Sequence, residues 1–114
     1  MTDDSFVFIY STFPDEQSAK NLARVLVEQK LAACVNLYPA ITSIYEWEGA
    51  IEMAAEVAVF IKTRRALADR VIALSHPLHP YTVPCFLVLP VVGVNEDYLA
   101  WLREQTRHES LAEK

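Results

Sequence analysis

Glycine is unusually scarce in this sequence. The chain has 114 residues but only two glycines, Gly49 and Gly93. Two isolated glycines cannot form a glycine-rich phosphate loop, a dinucleotide-binding fingerprint or the G-x-S-x-G turn around a nucleophilic serine. The sequence therefore has no nucleotide-binding motif, and it lacks the signatures of kinases, dehydrogenases and α/β-hydrolases. We expect a protein that is not an enzyme.

Long apolar runs and positive charge are lacking as well. No apolar segment approaches the roughly 20 residues that a membrane helix needs, so we expect no membrane span. Residues 1–5 are acidic, whereas a secretory signal opens with positive charge, which favours a cytoplasmic location. The formal net charge of −5 repels phosphate backbones, so we do not expect nucleic acid as a partner.

Cysteine is also rare, and apolar residues are abundant. Only Cys34 and Cys85 are present, and in a reducing compartment we expect two buried thiols rather than a disulfide. Hydrophobic residues make up 53% of the chain, above the roughly 45–50% of ordinary globular proteins. This excess indicates either a well-packed core or an apolar surface that a partner covers.

Apolar periodicity predicts seven elements in the order strand, helix, strand, strand, helix, strand, helix. We expect Asp15 to cap the first helix, Thr63 the second and Asn95 the third. Pro39 should bend the second strand, and Gly49 should mark a hairpin turn. The strands are expected at 6–13, at 33–45 with an interruption at the proline, around 56–63 and at 85–89.

This order predicts a single α+β domain over residues 1–114, with a core at about 6–103. The βαββαβ pattern is the ferredoxin-like plan, in which one antiparallel sheet carries two helices on one face. The C-terminal helix is an addition. The hairpin strands are too long for a small four-stranded sheet, so their ends should overhang and invite pairing with another chain. Trp47, Tyr98 and Trp101 would line such a contact or else complete the core of one copy.

Two histidines and two cysteines are the candidates for chemistry. His76 and His79 lie three residues apart, a spacing that could hold a metal on a helix, but prolines interrupt any helix here. For His76 we favour the interpretation as a helix-end histidine stabilised by the helix dipole. A histidine close to Cys34 or Cys85 would make a soft-metal site or a nucleophile with its base.

Acidic residues recur along the hairpin. They indicate either a site for hard cations or simply a solvated strand face. They are Glu46, Glu48, Glu52 and Glu56.

Several segments, in order and spacing, give the chain a resemblance to a known family. They are STFPD at 11–15, LAACVN at 31–36, TSIYEWEG at 42–49, IKT at 61–63, HPY at 79–81, LPV at 89–91 and DYLAWL at 97–102. Over about residues 6–103 the chain resembles the CutA family of divalent-cation tolerance proteins.

The resemblance implies a ferredoxin-like fold, a homotrimer similar to PII signalling proteins, and a role in tolerance of copper or another divalent cation. It also implies a ligand cleft between subunits. The residues carried over to this cleft are Ser11, Cys34, Trp47, Lys62, His79 and Tyr81.

The copper site implied by the resemblance is incomplete. Some family members have cysteine where Ser11 stands and histidine where Leu78 stands, so only His79 remains of that set. A serine hydroxyl is a poor copper(I) ligand, so we expect weak metal binding by His79, Cys34 and His76. Two alternatives stay open: a sensor of a small organic ligand in the cleft, or a trimeric scaffold for a protein partner.

Overall fold

A computed structural model describes residues 5–107, and residues 1–4 and 108–114, including most of the acidic start, lie outside this range. The strands are β1 (Phe6–Phe13), β2 (Cys34–Trp47), β3 (Ala50–Arg64) and β4 (Leu87–Val91). The helices are α1 (Glu16–Glu28), α2 (Ala68–Ser75) and α3 (Glu96–Gln105). Short 3-10 turns at Arg65–Leu67 and His76–Leu78 flank α2.

The four strands form one antiparallel sheet in the order β2-β3-β1-β4. This confirms the ferredoxin-like prediction. Strand residues alternate between faces, and one face of β1 and β3 packs on α1 and α2. The centre of that core consists of fully buried side chains from all four elements, among them Val7, Ile9, Phe13, Leu26, Ile61 and Val71.

The first helix begins as predicted. The Asp15 side chain accepts a hydrogen bond from the Ser18 backbone amide at 2.8 Å, which satisfies one of the unpaired donors at the helix start. Ala19, Leu22 and Leu26 form the buried stripe of α1.

The predictions for the other two caps were wrong. Thr63 lies inside β3, because this strand stays paired with β1 as far as Arg64, and its hydroxyl donates to the Leu31 carbonyl at 2.6 Å. Helix α2 starts later, at Ala68, without a side-chain cap. Asn95 occupies the predicted N-cap position, but its amide donates to the Asp97 carboxylate instead of accepting from the helix.

Strand β4 begins two residues later than predicted and extends through Pro90. It lies at an edge of the sheet, where a proline without an amide donor is tolerated.

The β2–β3 hairpin contains a tight turn and a bulge. Glu48 and Gly49 both have positive φ, 51° and 85°, as a two-residue type I′ turn requires. Further along, Tyr38 pairs with Ala58 but Ile41 pairs with Glu56, so Pro39 and its neighbour oppose a single β3 residue. The bulge confirms the predicted bend, and it reverses which β2 residues face each side of the sheet.

The distal half of the hairpin overhangs, as predicted. Strand β1 pairs with β3 only over residues 57–64, so residues 41–56 pair only within the hairpin. Apolar side chains on this overhang are strongly exposed: Ile44 is 64% exposed, Ile51 70% and Met53 73%.

Helix α3 packs on the sheet face that does not carry α1 and α2, at the end away from the hairpin turn. Buried Leu102 packs with Phe6 and Ala33, and the Tyr98 ring stacks on Trp101 at 5.4 Å between ring centroids. The added helix therefore shields one end of this face and leaves the hairpin end uncovered.

The cap of α1 gives a direct test of the local fold. Asp15→Ala should lower the free energy of unfolding by about 1 kcal/mol, because the Ser18 amide loses its acceptor. Asp15→Asn keeps an acceptor oxygen and should stay close to the parent protein. Urea unfolding at one fixed protein concentration measures both variants, and equal losses in the two would contradict the capping role.

Candidate functional site

His79 lies at the centre of an aromatic group that anchors the loop before β4. Its ring packs on Phe13 at 4.1 Å between ring centroids, with Tyr81 at 5.1 Å and Phe86 at 5.7 Å. Only 7% of His79 is exposed. The 3-10 turn at His76–Leu78 ends just before it, and His79 is extended, as a residue before a proline should be, so the loop can turn back against the end of β1.

Both ring nitrogens of His79 have hydrogen-bond partners. Nδ1 accepts from the Tyr81 backbone amide at 3.0 Å, so Nε2 carries the proton and donates to the Thr12 carbonyl at 2.9 Å. Burial lowers the pKa of His79, and nearby His76 lowers it further, although the Thr12 carbonyl acts in the opposite direction. The neutral imidazole thus ties the loop to β1.

This geometry limits His79 as a metal ligand. A metal ion would need one of the two nitrogens, and either hydrogen bond would have to break first. His76 is exposed at the C-terminal end of α2, three residues earlier. Over residues 5–107, no group of three or more histidine, cysteine, aspartate or glutamate side chains could hold a metal ion.

A cavity of about 460 Å³ opens between the hairpin and the loop that His79 anchors. Its walls include Tyr45 and Trp47 from β2, Tyr81 from the loop, and Glu56 and Cys85, with two threonines, a proline and a valine completing the lining. The β2 bulge explains this grouping, because after it the odd-numbered residues of β2 share a face with the even-numbered residues of β3.

Glu56 is the charged group of this cavity. It is only 8% exposed, and its carboxylate accepts a hydrogen bond of 2.6 Å from the Tyr81 hydroxyl. Burial and the Glu56 charge together raise the pKa values of Tyr81, Cys85 and Tyr10; for Tyr10 the charge of Cys85 also contributes. The three groups therefore stay protonated beside the carboxylate at neutral pH.

Cys34 and Lys62 occupy a different part of the sheet. They are cross-strand partners near α3, where the Lys62 ammonium lies 3.3 Å from the Tyr98 hydroxyl. Lys62 is six residues along β3 from Glu56, roughly 20 Å at strand spacing. A second cavity of about 240 Å³ lies here, lined in part by Lys62, Asn95 and Tyr98.

The residues predicted for one cleft are thus distributed over two regions of a single copy. Trp47 and Tyr81 line the hairpin cavity. His79 does not line it but anchors the loop that carries Tyr81. Cys34 and Lys62 lie near α3. Ser11 is fully buried, and its hydroxyl has no hydrogen-bond partner. Both cysteines are half-buried free thiols.

Sequence reasoning missed Tyr45 and the special position of Glu56. All four hairpin glutamates looked like one alternating set. The register separates them, because Glu46 pairs with Ile51 on one face while Glu52 and Glu56 share the other. Pro39 was the available signal, since a bulge there shifts the alternation of every later β2 residue.

The hydrogen bonds of His79 make a pH-dependent prediction. Its folded pKa lies below the 6.5 of an ordinary histidine, so the unfolded chain binds more protons between the two values. The stability from neutral His79 is complete above pH 6.5 and is lost as the pH falls towards the folded pKa.

Unfolding free energies measured from about pH 7.5 to 5.5 (one unit either side of an ordinary histidine pKa) should show this loss. His79→Gln should flatten the profile, whereas His76→Gln should keep most of it, because His76 lowers the His79 pKa less than burial does. An unchanged profile in His79→Gln would contradict the assignment.

Comparison with known proteins supplies the family. The model of the CutA1 divalent ion tolerance protein family matches residues 7–105. Protein CutA of Homo sapiens is 46% identical over 101 residues, which cover 89% of this chain and 56% of the relative. The divalent-cation tolerance protein CutA of Thermus thermophilus is 43% identical over 95 residues, covering 83% of this chain and 92% of the relative.

Solved structures agree with these matches. The crystal structure of CutA1 from Oryza sativa superposes with a TM-score of 0.88 at 40% identity, covering 94% of this chain and 98% of that one. The chain spans little more than half the length of the plant and mammalian relatives. Among residues 5–107, no helix is long and apolar enough to cross a membrane. The chain belongs to the CutA1 family of divalent ion tolerance proteins.

Proposed function

We propose that this protein is a cytoplasmic divalent-cation tolerance protein that acts as a homotrimer and responds to copper, and that it is not an enzyme. The observation that carries the proposal is the family match over residues 7–105. The matched residues contain almost the whole described fold, so the function named for the family applies to this domain.

The overhanging hairpin supports self-assembly. Residues 41–56 project beyond the rest of the sheet, and Ile44, Ile51 and Met53 are exposed on the sheet face that α1 and α2 cover only over its proximal part. Exposed apolar side chains beside an unpaired strand edge favour burial against another chain. A second copy presents the same surfaces, and closed rotational symmetry would bury all of them.

A metal site in this proposal needs more than one copy. The described part of one chain holds no three-ligand group, and Cys34 is far from the histidines along the sheet. We therefore assign the metal contacts to Cys34, His76 and His79 of different copies. His79 would join only by giving up a hydrogen bond, which is consistent with weak binding.

A second candidate function is PII-like sensing of a small organic ligand. The cavity between the hairpin and the 80–85 loop favours it, because its volume of about 460 Å³ lies in the range of small-molecule sites. In this function the assembled copies would pass ligand occupancy to a protein partner.

The assembly has a direct test. Native mass spectrometry should show three copies for the parent protein, whereas Met53→Lys should shift the population towards monomer by placing a charge on the apolar overhang. The control Gln17→Lys adds the same charge on the exposed side of α1 and should stay trimeric. A monomeric parent protein, or a trimer unaffected by Met53→Lys, would contradict the proposed interface.

Metal binding is tested in the same instrument. The metal-free trimer should gain up to three copper or zinc ions, and His79→Ala should reduce the occupancy. The control is Ser75→Ala, which changes a nearby buried side chain without removing a metal ligand. A trimer that stays bare at millimolar metal, equivalent to roughly −4 kcal/mol, would refute the copper proposal and leave the fold and assembly standing.

A further inference from the structure

We propose that the cavity between the β2–β3 hairpin and the 80–85 loop binds a small organic ammonium cation. The inference deepens the second candidate function and rests on it only in requiring that the cavity takes a small molecule. Its basis is a buried carboxylate within aromatic walls. It does not depend on the metal proposal.

The charge of the cavity is negative and has no counterion in the described chain. Only 8% of Glu56 is exposed, so more than nine-tenths of it is buried. None of the described residues that line the cavity is lysine or arginine. The hydrogen bond that Glu56 accepts there comes from a neutral phenol, the Tyr81 hydroxyl. The Glu56 charge reaches Tyr10, Tyr81 and Cys85, since it helps to raise the pKa of each. A buried carboxylate without a cation is costly, so a cationic ligand would be stabilised there.

The walls suit an organic cation. Tyr45 and Trp47 face the cavity from β2, and Tyr81 faces it from the loop. The negative faces of aromatic rings attract ammonium groups, and tryptophan does so most strongly. Three aromatic residues around one carboxylate therefore offer both charge neutralisation and apolar contact for alkyl groups.

Other ligand classes fit less well. A hard divalent ion takes six to eight oxygen ligands, whereas the cavity offers one carboxylate, and residues 5–107 contain no three-ligand group. An anion would be repelled by Glu56. A neutral ligand would leave the buried carboxylate without a counter-charge.

Tryptophan fluorescence can report on this cavity. The chain has two tryptophans, so Trp101→Phe leaves Trp47 in the cavity wall as the only one. Titration of this full-length variant with n-butylammonium should give a saturable change in fluorescence, with half-saturation at millimolar concentration or below. The uncharged analogue n-butanol, of nearly the same shape, should give none in that range.

Two substitutions test the mechanism by calorimetry in the parent background. Glu56→Gln keeps an oxygen acceptor for the Tyr81 hydroxyl but removes the charge, so n-butylammonium should bind at least about tenfold more weakly. Glu52→Gln removes an exposed charge on the same hairpin face and should bind like the parent protein. If Glu56→Gln does not fold, Tyr45→Leu, at a wall residue that is nearly half exposed, supplies the test with an expected loss of severalfold.

Equal binding of n-butylammonium and n-butanol would overturn the proposal, because the cavity would then be merely apolar. No binding of either would also overturn it, including the case in which a neighbouring copy fills the cavity. Loss of ammonium binding in both Glu52→Gln and Glu56→Gln would reduce the effect to surface charge and refute the site. The metal proposal is tested separately by copper titration, and the assembly proposal by native mass spectrometry. Failure of either one can therefore be told apart from failure of the ammonium site.

Discussion

A one-residue bulge in β2 determines what the hairpin presents on each face. Without it, the side chains of β2 would alternate in one phase from Cys34 to Trp47. Because Pro39 and Ala40 oppose a single β3 residue, the phase changes, and Tyr45 and Trp47 come to the same face as Glu56. Ala40 has a φ of 67°, unusual for a residue with a side chain, so the local backbone is strained to make this change.

The hairpin also connects the fold to the proposed assembly. Pairing with β1 fixes the proximal half of β3 in the core, while the distal half has only β2 beside it. Ile44 and Met53 are cross-strand partners on that distal half, where neither α1 nor α2 reaches. A single copy therefore leaves unburied the apolar material that the composition has in excess, and other copies of the chain are the simplest source of cover.

Much of the fold could be predicted from local rules. Apolar periodicity located β1 and α1 correctly, and Asp15 caps the helix as its position indicated. Thr63 shows where local rules fail: a good capping residue became part of β3, because long-range pairing with β1 and the Leu31 carbonyl determined its conformation.

The site was less predictable. The resemblance places its set of residues in a cleft between subunits, and within one chain the set is spread out, since Cys34 and Trp47 lie at opposite ends of the same strand. His79 was singled out because of its rigid loop, but its hydrogen bonds to Thr12 and Tyr81 depend on tertiary packing that spacing does not encode. The burial of Glu56 follows from register and loop position, and neither can be deduced from alternation of glutamates.

Amide hydrogen exchange over residues 41–56 tests most directly whether the overhanging hairpin is the assembly surface. In one copy, β2 is an edge strand, and its outward-facing amides have no strand beside them. The account predicts slow exchange of these amides in concentrated protein and faster exchange after dilution below the assembly concentration. Fast exchange that does not depend on concentration would show that the hairpin stays uncovered and would contradict the account.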